Sequence, residues 1–192
     1  PKIHEKTITR LDVNEVANLL DAVETGEKLS GRQKAFHERT KKRDLALTTL
    51  LLGTGMRVSE CVGINIRDLD FQNNAVRVTR KGGNEVFLFF GEEVREALED
   101  YLEERKTAVT KDEKEDALFL SSQGKRINVR SVQNLVKKYS SGVTVKNISP
   151  HKLRSTFGTN LYQETGDIYL VADALGHADV NTTRKHYAEV EE

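Results

Sequence analysis

The chain has 192 residues and a single cysteine, Cys61. One cysteine excludes an internal disulfide and fits a reducing compartment. It falls in an apolar helical run, which marks it as a small core residue. Long hydrophobic runs are also missing: no stretch approaches the roughly 18 apolar residues that a membrane-spanning helix needs. No signal-peptide pattern opens the chain, which begins at Pro1 without a Met, so a piece cut from something longer is expected. The five histidines contain no H-x-x-x-H and no His/Cys pairing of the usual ligating kind, so neither a metal site nor a cofactor is expected. There is no internal repeat, low-complexity tract or internal linker.

Net charge is missing too, with 30 Lys and Arg against 30 Asp and Glu. That balance argues at first against a polyanionic partner, but the distribution reverses the argument. Residues 92–116 hold 11 acids and 5 bases, leaving 25 bases and 19 acids for the rest. Basic groups cluster at Lys28 to Arg43, Arg77 to Lys81, Lys125 to Lys138 and Lys146 to Arg154. A basic face with an acidic back suits a phosphate-binding surface; solvated helix faces would look the same by counting alone.

Hydrophobic content of 37% and charged content of 31% describe an ordinary globular chain, and the length suits one domain with a proper core. Thr9 or Asp12 caps a helix to about Val23, with Val13, Val16, Leu19 and Leu20 on one side. Residues 26–39 read as a loop or short basic helix. An apolar helix follows over Asp44 to Thr54, broken by Gly53 and Gly55, then a short one over Val58 to Gly63. Ala75 to Thr79 and Glu85 to Phe90 alternate like strands around the turn Arg80-Lys81-Gly82-Gly83-Asn84, which predicts a hairpin. Ile64 to Ile66 is a candidate third strand. Helices are expected over Glu92 to Lys106, from the cap Asn128 to Tyr139, from Ser149-Pro150 to Glu164, from the cap Asp167 to Leu175, and over Val180 to Tyr187. The expected class is mainly α with a small antiparallel β-sheet.

Several polar residues stand where chemistry is feasible. His151 and Arg154 are three apart in the first turns of one helix, hence on one face, and a helix N-terminus favours an anion. Arg154 carries a planar fork that grips two phosphate oxygens. Arg57 sits at the junction of two helices, with Glu60 in reach to orient it. Lys81 lies at a glycine-rich tip and is a compact proton donor. His177 ends a helix and Tyr187 follows ten residues later. Taken singly, each has an ordinary explanation: an exposed ion pair, a solubilising turn lysine, a capping histidine, an interfacial aromatic.

Taken together, TGMRVSE around Arg57, the tip lysine, HKLRSTFGTNL from His151 and LGHADVNTTRKHY through His177 to Tyr187 resemble, in this order, the catalytic domain of the tyrosine recombinases, or phage integrase family. The resemblance spans about Thr7 to Ala188. It implies that Tyr187 is a nucleophile that leaves a 3′-phosphotyrosyl bond. It further implies that Arg57, Arg154 and His177 bind the scissile phosphate, that Lys81 protonates the leaving 5′-oxygen, and that His151 accepts or positions a proton. It implies the family's catalytic-domain fold over the whole chain, with no amino-terminal core-binding domain here. It implies metal-free chemistry, a double-stranded DNA partner, other recombinase protomers in a tetrameric synapse, no membrane, and a bacterial cytoplasmic setting. A type IB topoisomerase-like strand transferase and an inactive DNA-binding module of the same fold are the alternatives.

Overall fold

A computed structural model describes residues 10–176. The expected last helix over Val180 to Tyr187, and His177 before it, lie outside the described residues. Helix α1, Val13–Thr25, starts at Asp12, whose carboxylate accepts the Glu15 N–H while Glu15 accepts the Asp12 N–H. This reciprocal cap satisfies two of the donors that a helix start leaves open. Leu19 turns inward as expected, together with Val23, whereas Val13, expected on the same side, is exposed in the first turn.

Helix α2, Gly31–Thr54, differs from expectation. It is one 24-residue helix, with no loop over its first half and no break at Gly53. Its start is a second reciprocal cap, Ser30 with Gln33. The buried stripe of its first half is polar: His37, Thr40 and Asp44, continued by Leu47 and Leu51. Asp44 is wholly buried and accepts from Tyr139 Oη at 2.6 Å and Arg43 Nη2 at 2.8 Å. His37 Nε2 donates to the Val23 carbonyl at 2.6 Å. The helical period is present but carried by hydrogen-bonded polar groups, which an apolar pattern does not reveal. Burial, and next the Asp44 charge, push the Tyr139 phenol far above its ordinary pKa.

After α3, Val58–Val62, the chain makes a 3₁₀ turn and enters a sheet of order β1-β2-β3: Leu69–Asp70, Ala75–Thr79 and Glu85–Phe89, all antiparallel. The third strand is therefore Leu69–Asp70, not Ile64 to Ile66. Two residues are too short to show a period, and Asn65 instead makes a single bridge to Ala117. The hairpin is as predicted, with Val76 opposite Leu88 and Val78 opposite Val86. Helix α4, Glu92–Lys106, lays Val94, Leu98 and Tyr101 inward, and Tyr101 stacks on Phe119 at 5.5 Å.

Helix α5, Val129–Ser140, adds Val132, Leu135 and Val136 to the same core. Helix α6, Pro150–Thr165, crosses α2 with Leu153 buried. Thr156 Oγ1 accepts the Leu11 N–H, tying the entry of α1 to α6. Helix α7, Ile168–Leu175, is capped by Asp167 and folds back on α6 through Tyr162, Val171 and Leu175. Among the described residues no helix is long and apolar enough to cross a membrane.

Candidate active site

The end of α2, the base of the hairpin tip, the first turns of α6 and the end of α7 meet in one place. Gly55 closes α2 in the left-handed region at φ 69. A Cβ there would lie 2.2 Å from the Phe157 ring of α6, so only glycine lets the chain pass this closely. With Met56 buried behind it, the turn delivers Arg57 as the residue preceding α3, its side chain exposed.

Glu60, expected within reach to orient Arg57, acts on that residue's backbone. Its Oε1 accepts the Arg57 backbone N–H at 2.9 Å. Among the described residues its charge partner is Arg80, with Nε 3.4 Å from Oε2. The neighbouring Cys61 thiol is pushed up to about 12 by burial, then by the Glu60 charge. It is a protonated core group at neutral pH, as its apolar setting suggests, and is no nucleophile.

Arg154 lies in the second turn of α6 and is 4% exposed. Nη1 donates to the Gly55 carbonyl at 2.5 Å and Nη2 donates to the Leu175 carbonyl. Both carbonyls belong to helix C-termini, where the backbone carries partial negative charge. One guanidinium thus joins the ends of α2 and α7, two residues before Arg57 and two before His177. His151 sits one turn earlier on α6 and is exposed.

Lys81 is exposed in the tip turn Lys81–Gly83, where Gly82 and Gly83 have φ of 85 and 83. Arg57, Arg80 and Lys81 line a cleft of about 700 Å³ with Thr54, Phe157 and Gly176, and among the described residues Asp173 is the one carboxylate in its wall. The outer face of β3 forms another wall through Phe87 and Phe89, which are 55% and 68% exposed. A larger groove of about 830 Å³ between α1 and α4 is walled by carboxylates including Asp21, Glu24, Glu93 and Asp100. Its charge repels phosphate, so size is a poor guide here. Among the described residues no group of three His, Cys, Asp or Glu side chains gathers as a metal site would.

Of the six expected site residues, the structure brings Arg57 and Lys81 to one cleft and Arg154 to the backbone beside it, with His151 on the same helix as Arg154. His177 and Tyr187 lie outside the described residues. Arg80 was expected only as a turn residue. The signal for more was in the alternation: Val76 and Val78 point inward, so residue 80 continues the inward set with a charged group.

The phage integrase family model matches residues 9–192. The tyrosine recombinase XerS of Streptococcus uberis (strain ATCC BAA-854 / 0140J) is 37% identical over 175 residues, covering 88% of this chain and 49% of that protein. XerS of Lactococcus lactis subsp. cremoris (strain MG1363) gives the same identity and coverage. The crystal structure of XerA recombinase superposes with a TM-score of 0.78 at 26% identity, over 94% of this chain and 60% of that one. XerH site-specific recombinase bound to palindromic difH substrate, a post-cleavage complex, gives 0.76 at 26% identity over 94% and 50%. The chain belongs to the phage integrase family and has the tyrosine recombinase catalytic-domain fold. It spans about half the length of the XerS proteins it matches.

Proposed function

We propose that this chain is the catalytic domain of a site-specific DNA recombinase that cuts and rejoins strands through a 3′-phosphotyrosyl intermediate. The observation that carries the reading is the convergence of three separated segments. Arg57 and Lys81 share one cleft, and Arg154 is tied to the backbone that presents Arg57. Among the described residues that line the cleft, three cations, Arg57, Arg80 and Lys81, stand against one carboxylate, Asp173, a balance that suits a phosphodiester.

In this reading Tyr187 Oη attacks the scissile phosphorus in line. The Oη–P bond forms, the P–O5′ bond breaks, and the 5′-oxygen takes its proton from Lys81 Nζ. The bond energy is kept for religation. Arg57, Arg154 and His177 stabilise the charge on the non-bridging oxygens, each such donor being worth about 3–4 kcal/mol. A free tyrosine titrates near about pH 10, so His151 accepts or positions the proton of Tyr187. The reading calls on no cofactor and no metal. The partner is double-stranded DNA, supported by XerH having been solved on difH. For the whole protein the assembly is a tetrameric synapse of protomers in a bacterial cytoplasm, with the core-binding half supplied by sequence beyond this domain.

The test is covalent trapping. The protein is mixed with supercoiled plasmid in EDTA, denatured with detergent, and assayed for protein-bound nicked DNA. An adduct lost in Tyr187→Phe is the expected result. An adduct that persists in that variant would place the nucleophile elsewhere.

A further inference from the structure

Arg80 ties together the parts that the proposed chemistry needs in register. Its backbone closes the tip: the Arg80 N–H donates to the Asn84 carbonyl at 2.7 Å, and the Gly83 N–H donates to the Arg80 carbonyl at 3.0 Å. Its side chain, 11% exposed, leaves the hairpin altogether. Nη2 donates to the Ala174 carbonyl in the last turn of α7 at 3.0 Å. Nε faces Glu60 at 3.4 Å without an aligned hydrogen bond, so this contact is charge pairing between nearly buried groups. The same Glu60 holds the Arg57 N–H. The guanidinium also occupies the space beside Gly176, where a Cβ would lie 2.4 Å from Nη1.

Lys81 has no such anchors among the described residues. It is exposed, and added Cβ atoms at Gly82 and Gly83 would meet nothing within 4 Å. A tip without packing of its own takes its position from the residue at its base. We infer that Arg80 is a positioning residue that fixes the Lys81 tip against the Arg57 turn and the last turn of α7. The inference rests on the reading of Lys81 as proton donor. A general acid acts only within hydrogen-bond reach of the atom it protonates, and a misplacement of about 1 Å costs on the order of 100-fold in rate.

The test separates positioning from general support by changing the leaving group. The cleavage position is mapped from the Tyr187 adduct, and two duplexes are made across it, one with the natural 5′-oxygen and one with bridging 5′-sulfur. A thiol titrates near about 8.5, so sulfur departs as thiolate without a proton. Arg80→Ala is expected to slow single-turnover cleavage of the oxygen duplex by roughly 10–100-fold and that of the sulfur duplex by less than about threefold, as Lys81→Ala should. If Lys81→Ala is not rescued by sulfur, the proton-donor reading fails. If Lys81→Ala is rescued and Arg80→Ala is not, the positioning role is overturned, as it is by normal cleavage of oxygen by Arg80→Ala. Should Arg80→Ala not fold, Arg80→Gln keeps a donor for Ala174 without the charge and is expected to show the same contrast. Independently of DNA, amide exchange at Gly83 and Arg57 should quicken in the folded Arg80 variant relative to the α2 core. Unchanged exchange at both would overturn the inference.

Discussion

Replacing Arg154 by lysine keeps the charge and removes the fork. In the wild-type chain two guanidinium nitrogens reach the Gly55 and Leu175 carbonyls from a site that is 4% exposed. An ammonium on a lysine stem is a point donor and cannot bridge carbonyls on two different helices in the same geometry. At least one charge-assisted hydrogen bond is lost, worth about 1.5–3 kcal/mol. For a domain of this size each kcal/mol lowers Tm by about 2–4 °C, so the expected fall is about 3–12 °C. Activity should fall further, because the oriented donor to the phosphate is lost as well. Removing one such donor lowers the rate by about 100- to 1,000-fold. The assays are thermal or urea unfolding of the free chain and single-turnover adduct formation on plasmid DNA. A variant with unchanged Tm and cleavage within a few-fold of wild type would refute both the structural tie and the phosphate role. A lowered Tm with normal cleavage would refute the phosphate role alone.

Two further outcomes follow from the packing. Asp44→Asn should lose about 3–5 kcal/mol in urea unfolding, because it strips the charge that faces Arg43 at a wholly buried site. Combined with Tyr139→Phe the losses should fall short of additive by more than about 0.5 kcal/mol, since the two side chains share one hydrogen bond. Glu15 is held down to about 2, first by the hydrogen bond from Lys146 and then by Thr144. A lowered folded pKa means that its contribution is fully present above the ordinary value of 4.5 and disappears as pH falls towards about 2. Glu15→Gln should flatten the acid limb of a stability–pH curve over that window, and an unchanged limb would contradict the Lys146 contact.

Most helices were legible because their signals are local: Asp12, Asn128 and Asp167 as caps, Pro150 in a first turn, Gly166 and Gly176 as stops. The first half of α2 was not, since its inward positions are His37, Thr40 and Asp44, whose burial depends on partners as distant in sequence as Tyr139. Leu69–Asp70 has no period at all and exists as a strand only through its pairing with Ala75 and Val76. At the site, Arg57, His151 and Arg154 were marked by their flanking motifs. The carbonyls that Arg154 grips were invisible, because backbone groups leave no trace in residue identity. Arg80 was visible only in part, as an odd charge on an inward register.

The unbroken α2 has a mechanical consequence. At about 1.5 Å per residue, its 24 residues form a strut of about 36 Å. Its middle is locked by Asp44 to Tyr139 and its C-terminal end presents Gly55 to Phe157. A single residue added between those locks would rotate everything beyond it by about 100° about the axis, turning Arg57 away from the hairpin. The mostly exposed stretch at 107–114 can change length without such a penalty, whereas the segment between those locks has to be inherited at constant length, like a keyed shaft.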